Sequence, residues 1–369
     1  MVSLMPELEP INFTRGVPAT ESFPITDLAE AARSVIEEQG TAILQYGPAL
    51  GLSNWREWIA QWQGVQPNQV LTGNGSLELA EFLCGHLISP GDAVFVESPS
   101  YDRAITLFRR HKAELTGIPL EPDGPDIDSL ESALKIRAPK FFYVIPDFQN
   151  PSGVTSSAAK RQRIIELAEQ YNFLLVEDAP YRLLRYRGSP EPTLFSMAPH
   201  RVLHMSSFTK LIAPGLRAGL MLGSAELLAK IAKLAEDTYI SPGYLAQGIA
   251  YEWCRRGLLA PQIESLKSLY APRLDACLAA VDRYLPEAET TRPDGGFFVS
   301  LTLPPGILTT EVRSAAVKRN LNLADGLAFF PNGGGERFLR LPYCALTPEQ
   351  IDEGVSRLAE TVKEAGRRN

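Results

Sequence analysis

The feature that most constrains this chain is a series of short, largely apolar runs separated by stretches of helical periodicity. Residues 141–145 read Phe-Phe-Tyr-Val-Ile, with no polar alternation. Residues 70–72, 93–97, 173–177, 202–205 and 220–222 have the same form. Between them, residues 77–88, 101–110 and 158–171 carry apolar side chains at helical spacing. A strand that is apolar on both faces must be covered on both faces, and the intervening helices supply the cover. The pattern predicts an α/β fold: a three-layer unit with a mostly parallel sheet.

The last third reads differently. A long helix is predicted over 261–284, then a strand over 297–301, a helix over 310–320, a strand over 338–341 and a helix over 348–364. These predict a smaller α+β layer. A helix over 27–39 is expected to pack on that layer or on a partner subunit. The division expected is a large domain, 44–260, and a small one built from 1–43 and 261–369, within the range that 369 residues allow.

Several functions are excluded early. The net charge of −7 argues against a nucleic-acid footprint, although a pocket on an acidic protein can still be locally positive. Cys84, Cys254, Cys277 and Cys344 form no C-x-x-C pair, and the four histidines form no H-E-x-x-H pattern, so free thiols and no metal are expected. Residues 1–11 lack the basic and apolar regions of a signal peptide, and no apolar run approaches membrane-spanning length. A cytoplasmic location is expected, with no membrane partner.

Gly73-Asn74-Gly75 opens a dinucleotide-type search, but the third glycine position holds Glu78. What remains is strand, glycine turn, serine and helix: either an ordinary βα turn or a cradle aiming backbone N–H groups at an anion. S-x-x-K occurs at Ser132, Ser157 and Ser207, and G-x-S-x-G is absent, so serine-hydrolase chemistry finds no support.

Other candidates also follow strand positions, where α/β sheets place their chemistry. They are Asn150-Pro151-Ser152-Gly153, Glu177-Asp178-Ala179-Pro180-Tyr181 and Ser206-Ser207-Phe208-Thr209-Lys210. Taken singly, Asp178 reads as a cap or turn former, and Lys210 and Arg217 as surface cations. Together they offer a carboxylate, an amine, a guanidinium and a phenol to one crevice. That set suits a cofactor with a ring nitrogen, an aldehyde and a phosphate, as in pyridoxal 5'-phosphate.

With these residues in hand, the chain resembles a fold-type I pyridoxal-phosphate enzyme of the class I/II aminotransferase family, within its 2-aminoadipate, kynurenine and aromatic subgroup. The resemblance is carried by Gln45-Tyr46-Gly47-Pro48, residues 72–77, Glu97-Ser98-Pro99-Ser100-Tyr101 and the three motifs above. It continues through Pro214-Gly215-Leu216-Arg217, Arg292-Pro293-Asp294-Gly295-Gly296-Phe297, residues 332–335 and Leu339-Arg340-Leu341, in the family's order over nearly the whole chain.

The resemblance implies Lys210 as the lysine that binds the cofactor aldehyde, with Asp178 holding the pyridine nitrogen protonated. It implies Tyr181 and Asn150 on the ring's phenolic oxygen. Tyr101 is open to two readings, stacking on the ring or packing in a core. Gly75, Ser76, Leu77, Ser207 and Arg217 are implied around the phosphate, with Tyr46 reaching it from a neighbouring subunit, hence a homodimer. Arg340 is implied as the clamp on the substrate α-carboxylate, beside Asn150. Arg15 departs from the usual pattern and reads either as a reader of a side-chain carboxylate or as a surface residue. Asp325-Gly326 and Pro342-Tyr343-Cys344 depart as well.

The implied reaction moves the amino group of an aromatic, 2-aminoadipate-like or large aliphatic L-α-amino acid to a 2-oxo acid such as 2-oxoglutarate. Two alternatives stay open. One is the same scaffold with another outcome, as a C–S lyase, decarboxylase or oxygen-dependent oxidase. The other is a non-catalytic effector-binding domain of the related transcription regulators, in which a winged helix precedes the domain. Here the family pattern begins within the first few tens of residues.

Overall fold

The structure, a computed structural model, describes residues 9–367. The expectations for residues 1–8 and 368–369 lie outside that range. The chain opens with β1 (Ile11–Phe13), α1 (Ile25–Ile43) and α2 (Ser53–Gln63). Then come β2 (Val70–Gly73), α3 (Ser76–Leu87), β3 (Ala93–Ser98), α4 (Asp102–Arg110), β4 (Glu114–Glu121), β5 (Gly124–Pro125) and α5 (Ile127–Ile136). The middle continues with β6 (Phe141–Val144), α6 (Ala158–Tyr171), β7 (Leu174–Asp178), α7 (Leu194–Met197), β8 (Val202–Ser207), β9 (Gly219–Leu222), α8 (Ala225–Tyr239) and α9 (Tyr244–Arg255). The last third holds α10 (Leu259–Tyr284), β10 (Glu289–Thr290), β11 (Phe298–Thr302), α11 (Thr309–Ala316), β12 (Leu321–Leu323), β13 (Phe338–Pro342) and α12 (Pro348–Gly366).

Eight strands form one sheet in the order β2-β9-β8-β7-β6-β3-β4-β5. From β8 across to β4 all neighbours are parallel. Successive residues of each strand enter different cores. Phe142, Val144, Leu175, Val202 and Leu220 pack on one face, with Trp55 and Trp253. Phe141, Tyr143, Val176, Leu203 and Met221 pack on the other, with Leu79 and Leu228. This two-sided burial is why the runs show no polar alternation.

The sheet is mostly parallel, as expected, with one reversed strand, and two other expectations are corrected. Residues 220–222 do not continue the parallel series: β9 runs antiparallel to both β2 and β8. Residues 208–218 hold only short 3-10 turns, and a parallel return needs a longer crossover. The helix predicted over 310–320 ends at Ala316. A 3-10 turn follows, and Asn320 closes it in the left-handed region at φ 49°. Finally, α1 lays its buried residues Val35 and Ile43 on α9 rather than on the C-terminal layer. Gly248 permits that approach, because a Cβ there would lie 2.7 Å from Ile43 Cδ1.

A third core gathers Ile11, Phe13, Leu274, Val299, Leu339 and Val355 beside the sheet β10-β11-β13 and the parallel pair β1-β12. Helix α10 serves two cores: Leu266 and Tyr270 pack with the first, Leu274 and Val281 with the third. Among the described residues no helix is long and apolar enough to cross a membrane.

Candidate active site

Strands β2, β6, β7 and β8 all point the same way, so their C-terminal ends meet at one edge of the sheet. The reversed β9 begins at that edge, which brings Arg217 there from the opposite chain direction. A cavity of about 420 Å³ opens at this point. Gly75, Ser76, Leu77, Tyr101, Asn150, Asp178, Tyr181, Ser207, Lys210 and Arg217 all line it. Sequence reasoning missed Arg103 and Ile145 in the same lining, and named Pro180 and Thr209 only as parts of its motifs, without a role.

The Lys210 side chain is half-buried. Nζ donates to the Gly16 carbonyl at 2.8 Å and lies 5.6 Å from the Phe297 ring centre and 5.9 Å from that of Tyr181. Burial brings its pKa down to about 8, and the positive fields of Arg340 and Arg217 act in the same direction. A minority of the amine is therefore already neutral near physiological pH, far more than for an ordinary lysine, and can act as nucleophile and base. The turn that carries it is anchored by Phe208, whose ring lies 4.8 Å from Trp55 and 5.7 Å from Trp62. Helix α2 was not predicted, although Trp55, Trp58 and Trp62 repeat at helical spacing.

Asp178 ends β7 and is buried. Burial raises its pKa to about 6, while a hydrogen bond from Tyr143 and the field of His204 hold it lower. Tyr143 Oη donates to Oδ2 at 2.7 Å, and Oδ1 is buried without a partner. An ionised carboxylate with one unspent oxygen at a cavity wall is built to meet a cation.

The opposite wall is a cradle. Gly75 precedes α3 at φ 103°, and no side chain caps that helix, so its first N–H groups remain free. Arg217 Nη2 donates to the Asn74 carbonyl at 3.0 Å, and a Cβ on Gly75 would sit 2.6 Å from that nitrogen. Glu78, where a dinucleotide fold has glycine, instead accepts from Asn74 N at 2.7 Å and from Asn74 Nδ2 at 3.1 Å, which fixes the turn. Ser207 Oγ lies in the wall and contacts Thr209 Oγ1 at 2.7 Å. Helix N–H groups, hydroxyls and a guanidinium make an anion site.

A second cavity of about 440 Å³ shares Tyr101, Arg103, Asn150, Tyr181 and Lys210 with the first, and adds Arg15 and Arg340. Arg340 is 8% exposed and sits between Phe298 and Phe329, 4.9 and 4.6 Å from their ring centres. Nη1 donates to Asn150 Oδ1 at 2.8 Å and Nη2 to the Thr14 carbonyl at 2.7 Å. Burial lowers its pKa from an ordinary value so high that the charge stays. Burial raises the phenols of Tyr181, well above the ordinary value, and Tyr101, to about 12, so both act as neutral donors. Arg15 is exposed at the mouth. Tyr46 is 74% exposed and lines neither cavity within one chain.

Fold and site together define a class: an α/β enzyme whose sheet edge offers a half-buried amine, a buried carboxylate and an anion cradle to one phosphorylated pyridine aldehyde. The unpartnered Asp178 oxygen and the cradle at Gly75 both fit pyridoxal phosphate. Residues 9–358 match the family aminotransferase class I and II, and the chain belongs to it. It is 35% identical to the 2-aminoadipate transaminase of Thermus thermophilus, over 96% of this chain and 90% of that one. It is 33% identical to aromatic-amino-acid aminotransferase 1 of Thermococcus litoralis, over 99% and 90%. The fold matches the crystal structure of an α-aminoadipate aminotransferase from Thermus thermophilus, complexed with N-(5'-phosphopyridoxyl)-L-leucine. The TM-score is 0.94 at 34% identity, covering 98% of this chain and 94% of that one. The protein is an enzyme of amino-acid transamination that uses pyridoxal phosphate, with an amino acid and a 2-oxo acid as substrates.

Proposed function

We propose that the donor is an aromatic, 2-aminoadipate-like or large aliphatic L-α-amino acid, and the acceptor a 2-oxo acid such as 2-oxoglutarate. The observation that carries the reading is that Lys210 is shared by both cavities, with Asp178 in one and Arg340 in the other. Pyridoxal phosphate, when bound, supplies an aldehyde for the amino group and a positive ring that draws electrons from the Cα–H bond. Lys210 would hold that aldehyde, and its amine would move the proton at the substrate Cα. Asp178 keeps the ring nitrogen protonated. Tyr181 and Asn150 hydrogen-bond the ring's phenolic oxygen, and Tyr101 stacks on its face. Gly75, Ser76, Leu77, Ser207 and Arg217 hold the phosphate.

Arg340 clamps the substrate α-carboxylate through two parallel bonds, which sets the Cα–H bond against the ring. Arg15 reads a side-chain carboxylate. Tyr46 of a second copy completes the phosphate site, so the working unit is a homodimer, in the cytoplasm. The large domain, 44–260, carries the cofactor, and the small one, 1–43 with 261–369, supplies Arg15 and Arg340, although its α1 packs back on α9 of the large one. A donor–acceptor panel on purified protein tests the reading. Turnover must require a 2-oxo acid, and Arg15→Ala must raise KM for 2-aminoadipate while leaving that for leucine unchanged. Product formation with no 2-oxo acid present contradicts transamination, and equal KM changes for both donors contradict the role of Arg15.

A further inference from the structure

The interior of the sheet holds several buried polar contacts that the reaction as described does not use, and one of them reaches the site. Tyr143 lies in β6 among apolar neighbours and is 1% exposed. A phenol there needs a partner. Its register neighbour on β7 is Val176, and Asp178 stands two residues further on the same face. Diagonal pairs at that separation lie within reach of a long side chain.

We propose that Tyr143 is a positioning residue for Asp178: its hydroxyl, donated to Oδ2 inside the sheet, keeps the carboxylate ionised and leaves Oδ1 alone for the cofactor's ring nitrogen. The inference rests on the reading of Asp178 given above and adds the group that makes that carboxylate usable. Tyr143 faces Asp178 from β6 and His204 from β8, and the phenols of Tyr101 and Tyr181 face it from the site loops. Among these, only Tyr143 hydrogen-bonds it. His204 turns its Nδ1 to Glu177 at 2.8 Å. A phenol suits this task better than lysine or arginine. It stabilises the anion without cancelling its charge, so the full negative charge is left for the cofactor ring. Burial and the adjacent carboxylate raise the Tyr143 phenol well above its ordinary value, so it remains the donor.

The test uses the full cofactor-free chain and pyridoxamine 5'-phosphate, which has no aldehyde for Lys210 to attack. Its dissociation constant is measured by calorimetry from about pH 5 to about pH 9, across the range in which the carboxylate titrates. Wild type, Tyr143→Phe and Asp178→Asn are compared. The affinity that wild type has in excess of Asp178→Asn isolates the carboxylate's contribution. That excess must fall away below about pH 6.

Losing a donor to the charged form raises a carboxyl pKa. In Tyr143→Phe the excess must therefore disappear from a midpoint about one pH unit higher. Binding is then weaker by up to about tenfold around the two midpoints and similar at the alkaline end. A midpoint unchanged in Tyr143→Phe overturns the proposal, because a merely structural tyrosine lowers the melting temperature without moving the midpoint. An Asp178→Asn curve identical to wild type overturns the reading of Asp178 itself, and the proposal with it. Where Tyr143→Phe does not fold, 3-fluorotyrosine at position 143 keeps the shape and strengthens the donor. The midpoint must then move down, and an unmoved one overturns the proposal.

Discussion

Lys210 illustrates how a reactive residue is held against its own preference. The folded, cofactor-free chain titrates it near 8, against an ordinary 10.5. Between those values the unfolded chain binds the extra proton, so the stability of wild type rises with pH across that window. Below it, enclosing the ammonium lowers stability by about 3 kcal/mol. Lys210→Met has no such proton. It is expected to melt higher than wild type at neutral pH when both lack cofactor, with the gap closing between about pH 8 and about pH 10.5. Thermal unfolding of both chains over that range checks this, and a gap independent of pH contradicts it. At this scale the residues are legible as types. A lysine, a carboxylate and an arginine near strand ends suggest a site from the amino-acid sequence alone. The Tyr143 contact does not, because it depends on the register of β6 against β7, which no single strand encodes.

Elements decide what those residues can reach. The apolar runs announce the sheet and its two covered faces, but not the reversal of β9, since a buried strand looks alike in either direction. The reversal has a physical signature only in what it touches. Gly219 opens β9 against the turn before α3, and a Cβ there would lie 2.4 Å from the Gly75 carbonyl carbon and 2.6 Å from Ser76 N. These are backbone atoms and cannot swing aside. Gly219→Ala is therefore expected to push the anion cradle away from Arg217, at a cost of about 1–3 kcal/mol in stability, as for other overpacked sites. Cofactor affinity should fall in the same variant while the far-UV circular dichroism stays native. Retention of both stability and affinity contradicts the close approach. Strand β4 and helix α2 escape the sequence reading for different reasons. Pro119 and Gly117 mask an edge-side strand, while the Trp repeat of α2 is a plain helical signal in a short element.

At the scale of the whole molecule, the net charge of −7 conceals a cavity system that gathers Lys210, Arg217, Arg340 and Arg15. Average charge reports on the surface that meets solvent, and a sheet edge can concentrate the opposite sign where anions bind. The same view explains Tyr46. Within one chain it is 74% exposed, beside Leu44 at 67%, an arrangement that suits a surface covered by a second copy. If Tyr46 donates to the phosphate of that copy, its hydroxyl matters to the cofactor and not to assembly. Tyr46→Phe is then expected to sediment as a dimer like wild type but to release pyridoxal phosphate about tenfold more readily, the effect of one hydrogen bond to a charged group. Analytical ultracentrifugation and equilibrium dialysis on the same samples separate the two effects. A monomeric wild type with full cofactor affinity contradicts the shared site. A dimer in which Tyr46→Phe retains cofactor unchanged confines the phosphate to the donors of a single chain: the α3 N-terminus, Ser207 and Arg217.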